Sequence, residues 1–412
     1  MKNFKNSGIE WLGEIPEHWE VVKIKHIFNI GRGRVISQEE LDENGNFPVY
    51  SSQTTNNGIL GYIKTYDFDC EQITWTTDGV NAGTIFLRNG KYNCTNVCGI
   101  LKPRNNENMS FLTYALQNVT PYYKRPDTNG AKIMNNEMAN IQIVYPPLKE
   151  QEQIANFLDE KCEKIANFIE KKEKLLSLLQ EQKQALINET ITKGLDKNVK
   201  FKNSGIEWLG EIPEHWEMVR LGLILKTGSG TTPNSNNDKY YKEGEIVWIN
   251  SGDLNDSCLR DSKRKITSEA LNDYPILKIF DKNSLIIAMY GATIGKIAIL
   301  KVNACVNQAC CVLEKSTWYA TSYLFYWFKG CKKELISMGS GGGQPNISQD
   351  IIKNLKIPIL PLKEQEQIAN FLDEKCEKID SLITKIKKQI ELIKEYKTTL
   401  INEAVCGRMG KS

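Results

Sequence analysis

Two long stretches of the chain carry apolar residues at alternating steps of four and three. In the first, Leu158, Ile165, Lys172, Leu179 and Leu186 alternate with Cys162, Ile169, Leu176, Lys183 and Thr190. In the second, Leu372, Ile379, Ile386, Ile393 and Leu400 alternate with Cys376, Ile383, Ile390, Lys397 and Ala404. A period of 3.5 residues keeps one helical face against a partner, so each stretch predicts a long helix with a coiled-coil seam. Pro147 and Pro361 suit the helix starts, and neither is followed by another proline for more than forty residues. The first helix is expected over roughly Lys149 to Thr192, a length of about 65 Å at 1.5 Å per residue. Glu163, Lys164, Glu170 and Lys171 take outer positions as a solvated face.

The remaining pattern is of short apolar runs broken by turn residues. FPVYSSQ, QITWTT and GTIFLRN predict strands in the first half, with a helix around FLTYALQNV. In the second half IVWIN, NSLIIAMY, GKIAIL and ACVNQACCVLE predict strands, and WYATSYLFYWFKGCKKELISM predicts a helix. The fold class is therefore α+β: two mixed α/β domains joined by two long helices.

These elements recur in order. FKNSGIEWLGEIPEHWE occupies residues 4–20 and 201–217, and PLKEQEQIANFLDEKCEKI occupies 147–165 and 361–379. The stretches between them differ, the second being longer by 17 residues. Like scaffolds carrying unlike inserts imply a pseudo-two-fold internal repeat. The divisions are 1–148 and 196–362 for the variable domains, with 149–195 and 363–412 for the helical regions. The second domain starts where the first helix ends and stops where the second begins, so a compact domain with neighbouring ends requires antiparallel helices. By the same geometry the segment 194–200 joins the first helix to the second copy, and the end of the chain returns near its start. In the first repeat, Trp11, Leu12, Ile15 and Trp19, with Trp208, Leu209, Ile212 and Trp216, read as packing residues. His18 and His215, two of only three histidines, sit in Pro-Glu-His-Trp turns without a nucleophile or metal-spaced partner.

A length of 412 residues exceeds what one core usually serves. The net charge of +3 places any nucleic-acid surface in local clusters. Eleven cysteines without paired C-x-x-C spacing read as reduced thiols, Cys94 and Cys98 included. No signal-like stretch and no membrane-length apolar run occurs, which points to a cytoplasmic protein without a membrane partner. GATIGK at 291–296 has too few residues between its glycines for a phosphate loop, and Ile297 stands where Ser or Thr would hold magnesium. VYPPL at 144–148 has the wrong flanks for an amino-methyltransferase motif, and GSGGG lacks a strand-to-helix context. No catalytic or metal-ligating residue is assigned.

Candidate chemistry lies in polar loops between the strands. In the first domain these give Thr54, Asn56 and Asn57, then Thr77 and Asn81, then Lys124, Arg125 and Lys132. In the second they give Ser229, Thr231 and Thr232, then Asn250 and Ser251, then Tyr290, Thr293 and Lys296, then Asn307 and Gln308, then Gln344 and Asn346. Amides, hydroxyls and cations can pair with base edges and phosphate oxygens, although such residues also build ordinary turns.

With these features the chain resembles the specificity subunit of type I restriction-modification systems. The resemblance rests on IEWLGEIPEHWE at 9–20 and 206–217 and on PLKEQEQIANFLDEK at 147–161 and 361–375. TTP, WINSGDL, ATIGK, VNQA and QPNIS in the second domain add to it, whereas QITWTTDGVNAGTIFLRNG at 72–90 looks like a different recognition-domain subtype. The resemblance implies a non-catalytic subunit that binds double-stranded DNA at a bipartite, asymmetric site. It further implies two adenine methyltransferase subunits and translocating endonuclease subunits as partners, to which S-adenosylmethionine, ATP and magnesium would belong. The recognition subunit of a type IIB enzyme and a coiled-coil protein-interaction scaffold are the competing readings.

Overall fold

The structure is a computed structural model in which residues 3–128, 130–339 and 346–409 are described. Two compact units form, one from residues up to Glu173 together with those from Lys387 onward, the other from Lys174–Ile386. Each unit thus takes a variable domain plus part of both long helices, a grouping that cuts across the four segments drawn from the sequence.

The long helices span Leu148–Lys193 and Leu362–Val405. Pro147 and Pro361 stand one residue before them, and their carbonyls accept from the amides of Glu150 and Gln151 and of Glu364 and Gln365. All twenty seam positions predicted from the heptads are buried or half-buried. In the first unit Leu158 and Ile165 share a core with Leu400, Ala404 and Val405. In the second, Ile187 and Ile191 share one with Ile368, Leu372 and Cys376, and Lys183 Nζ lies 2.6 Å from Asp380. Early residues of one helix meet late residues of the other in each case, so the pairing is antiparallel within each unit. Lys183, a charge on an apolar seam, is accommodated by that carboxylate.

The first variable domain has an antiparallel sheet of four strands in the order 85–88, 72–76, 98–103, 28–32. A second sheet runs 59–63, 47–50, 91–94, 68–69, with 47–50 parallel to 91–94. The predicted helix forms at Met109–Val119, where Asn108 caps the amide of Phe111. Its buried face, with Phe111, Leu112 and Leu116, packs with Trp19, Trp75 and Leu158. In the second domain the strands Leu285–Ala288, Ile297–Leu300 and Cys310–Leu313 are buried throughout, as continuous apolar runs require. They belong to a five-stranded sheet, and ACVNQACCVLE divides between two sheets at the turn 307–309. The predicted aromatic helix breaks at Cys331 into Thr321–Gly330 and Lys332–Ser337.

The ends of each variable domain are held together by strand pairing, Glu20–Lys23 with Gln142–Tyr145 and Glu217–Arg220 with Lys356–Ile359. This is the closure that the antiparallel argument required. Within each half the first repeated segment also binds the second. Glu150 accepts from Trp19 Nε1 at 3.1 Å and lies 2.7 Å from His18 Nε2; Glu364 makes the same contacts with Trp216 at 3.1 Å and His215 at 2.9 Å. The histidines are thus parts of a clamp on the first helical turn, a role beyond the packing expected of their segment. Unlike domain sequences even share one latch: Tyr114 donates to Asp159 at 2.8 Å, and Tyr326 to the equivalent Asp373 at 2.6 Å. Gly407, with φ +70°, rests on Pro16 and Trp19, and Arg408 donates to the Leu12 carbonyl, so the last described residues do return to the first repeat.

Candidate nucleic-acid interface

In the first domain the three candidate loops adjoin one another. The strand Gln72–Thr76 carries the chain into Asp78–Gly79, which pairs with Gly130–Lys132, which in turn pairs with Arg125–Asp127. Asn81 Nδ2 donates to the Ser52 carbonyl at 3.3 Å, tying this group to the turn that holds Thr54, Asn56 and Asn57. Those three and Lys124 are exposed, and Asn81 is half-buried. Arg125 is bound to Glu137, and Lys132 lies 2.9 Å from Asp127. The hydrogen bond from Lys132 holds the Asp127 carboxyl below its usual range. Thr77 is placed otherwise than a base-contacting residue needs. It is fully buried, donates to the Val97 carbonyl at 3.1 Å and accepts from Arg32 Nη2 at 3.3 Å, leaving the exposed Arg32 as the accessible group there.

In the second domain, polar groups link the loops directly. Thr232 Oγ1 donates to Gln308 Oε1 at 2.6 Å, Asn307 Nδ2 donates to Asn250 Oδ1 at 3.3 Å, and Ser229 Oγ donates to the Cys310 carbonyl at 2.8 Å. Asn250 precedes a short turn, Ser251–Asp253, whose Asp253 carboxylate accepts the Asn250 amide at 3.0 Å. Trp248 Nε1 donates to the Thr231 carbonyl at 3.2 Å, so the loop is fastened to a buried ring. Tyr290 is exposed, bridges Asn346 through the backbone, and accepts from Thr293 Oγ1 at 3.2 Å; Lys296 is half-buried at the end of the same turn. Met289 bonds Ala309, which brings this turn beside Gln308. Asn307 is nearly enclosed and acts on Asn250 and the Ala309 amide, whereas Gln308 is exposed. Gln344 lies outside the described residues. Behind this face burial pushes the thiols up, Cys305 to about 11 and Cys311 to about 12, so both stay neutral core groups.

A basic turn lies outside the amide and hydroxyl loops singled out from the sequence. Arg260, Lys263 and Arg264 are exposed, and among the described residues none of the three enters an ion pair. Arg264 stacks on Tyr241 at 4.2 Å, and Tyr241 donates to the Pro233 carbonyl at 2.5 Å beside Thr232. Ser262 accepts the Trp248 amide at 3.2 Å. Three cations within five residues were the available signal. Among the described residues no helix is long and apolar enough to cross a membrane.

The model of the type I restriction modification DNA specificity domain matches residues 16–180 and again 213–392. A Mycoplasma pneumoniae protein named as a type I specificity subunit, S.MpnORF507P, is 31% identical over 379 residues, which are 90% of this chain and 93% of that protein. The protein named as the MjaX specificity subunit of Methanocaldococcus jannaschii is 26% identical over 99% of this chain and 97% of its own. A chain from a structural study of type I system assembly and conformational transition superposes with a TM-score of 0.75, covering 96% of this chain and 99% of that one at 16% identity, so it has the same fold. The doubled domain match and the end-to-end likeness place the chain in the type I restriction-modification specificity-subunit family.

Proposed function

We propose that this specificity subunit reads a bipartite, asymmetric DNA site, one part by each variable domain, and docks two methyltransferase subunits. The observation that carries the reading is a division of labour. The repeated segments are consumed in clamping the domains to the long helices, while the unlike loops gather on polar faces. Two unlike faces suit two unlike half-sites. The subunit itself performs no methyl transfer, ATP hydrolysis or cleavage; S-adenosylmethionine, ATP and magnesium are bound by the methyltransferase and translocating partners. Footprinting the methyltransferase complex on randomised duplexes tests this, with two protected, sequence-dependent segments expected. A footprint without sequence preference, or methyl transfer by the purified subunit alone, contradicts the proposal. The heptad repeats add that helix length sets the spacer. One heptad added to both helices lengthens them by about 10 Å, or roughly three base pairs, and also turns one half-site by about a third of a turn. The lengthened protein selects a longer spacer or loses binding; selection of the original spacing refutes the ruler.

A further inference from the structure

The first domain contains a buried cation whose position bears on the proposed reading face. Arg88 closes the strand Ile85–Arg88 and is only 2% exposed. Its guanidinium lies 3.6 Å from the Tyr50 ring centre and 4.2 Å from that of Phe86. Among the described residues no carboxylate pairs with it. Its polar partners include Thr74 Oγ1, 3.3 Å from Nε, the backbone carbonyl of Asn57, 2.8 Å from Nη1, and the Tyr50 hydroxyl. Burying a charge without a counter-ion is costly, and aromatic faces plus a carbonyl offset it only while the carbonyl stays in place.

That carbonyl belongs to an unusual piece of backbone. Asn56, Asn57 and Gly58 have φ of 49°, 52° and 80°, three successive residues in the left-handed region. Such a conformation is strained for asparagine and persists only where the surroundings impose it. The hydrogen bond from Gln53 to the Ile59 carbonyl and that from the Ser51 amide to the Gly58 carbonyl, 2.9 Å, close the turn at its base, while Asn56 and Asn57 project as exposed side chains. A β-carbon on Gly58 would stand 2.9 Å from Arg88 Nη2, so only glycine admits this approach.

We infer that Arg88 is a specificity-positioning residue, which never touches DNA but fixes the left-handed turn that presents Asn56 and Asn57 to the first half-site. The inference rests on the DNA-reading assignment above and names the device behind one of its two faces. Arg88→Gln removes the charge and the stack, Arg88→Lys keeps the charge without the planar fork, and Gly58→Ala disturbs the same contact from the turn, where the added β-carbon meets Arg88 Nη2 and strains a residue with φ +80°. Each variant, in the full chain assembled with its methyltransferase subunits, is used to select from duplexes randomised at both half-sites. Arg88→Gln and Gly58→Ala lose discrimination at the first half-site, on the order of tenfold per base pair read from this turn, with the second half-site unchanged. Arg88→Lys recovers part of the loss, and amide exchange quickens over residues 54–59. If the wild type prefers no sequence in either half, the DNA-reading assignment fails. If the wild type does discriminate but folded Gly58→Ala and Arg88 variants keep its preferences, or lose both half-sites together, the role of Arg88 is refuted while the assignment stands.

Discussion

The two variable domains meet their helices in the same way and present different faces. The clamp from Glu150 to His18 and Trp19 is repeated by Glu364 with His215 and Trp216, and the Tyr114–Asp159 latch by Tyr326–Asp373. On the outward side the strand pairings correspond, with Phe47–Tyr50 parallel to Lys91–Cys94 as Ile246–Ile249 is to Cys305–Val306, but the side chains on the loops differ. The first domain stiffens its loops with ion pairs, such as Arg125–Glu137 and Lys132–Asp127, and with one buried arginine. The second joins side-chain amides and hydroxyls to ion pairs such as Lys239–Asp273, and among the described residues three cations of one turn enter no ion pair. Attachment is constrained by the shared helices, whereas the outer face answers only to whatever it binds.

The clamp is where the likeness is strongest, and breaking it has the largest expected effect. Trp19→Ala and Trp216→Ala each remove a fully buried ring, and each should cost about 3–5 kcal/mol by thermal or denaturant unfolding. Each should abolish recognition at its own half-site first; equal loss at both from either variant would show that the domains are not independently mounted.

The latches come next. Tyr114→Phe and Tyr326→Phe should each lose about 1.5 kcal/mol. Burial first, and the neighbouring carboxylate second, hold both hydroxyls protonated well above the ordinary tyrosine range. A raised folded-state value contributes stability that is complete below the unfolded value of about 10 and is lost as pH rises through the folded one. Unfolding of the wild type should therefore become easier above about pH 10, and the double Phe variant should show a shallower alkaline decline.

The outward faces sharpen the contrast in binding rather than in stability. Asn250→Ala or Gln308→Ala should cost about 1–3 kcal/mol of discrimination in the second half-site alone, read by competition between matched and mismatched duplexes. Replacing Arg260, Lys263 and Arg264 by alanine should instead weaken all sequences alike. The dependence of log affinity on log salt should flatten by about 0.9 for each phosphate contact removed. An unchanged slope would make the basic turn a solvated surface only.

The first long helix was legible in the sequence to within a residue of each end and the second to within a residue of its start, because long periodic patterns average out local irregularity, whereas the second helical region was drawn to 412 and the helix stops at Val405. Some strand positions were also legible, but Phe28–Arg32, Ile59–Ile63, Lys91–Cys94 and Cys98–Pro103 were not named, and no strand's partner was. The parallel pairing of Phe47–Tyr50 with Lys91–Cys94 joins residues some forty apart, and nothing local encodes it. Thr77 shows the consequence: TTDGVNAG reads as an open turn, yet the backbone of Thr77 accepts the Ile133 amide and its side chain is covered. Arg88 is the converse, a charged residue at the end of an apolar strand whose burial depends on Tyr50 and Phe86 closing over it in the folded domain. Composition marks which loops are polar, but only packing decides which of their atoms reach solvent.

The division of the chain into units bears on how the molecule is made. The second unit is one uninterrupted stretch, Lys174–Ile386, whereas the first needs the residues from Lys387 onward to complete a core containing Leu400, Ala404, Val405 and Cys406. On the ribosome the domain that emerges first is therefore the last to be finished. It must wait, with the apolar flank of its early helix uncovered, through the synthesis of more than two hundred further residues. Its companion can close as soon as its own last residue leaves the tunnel.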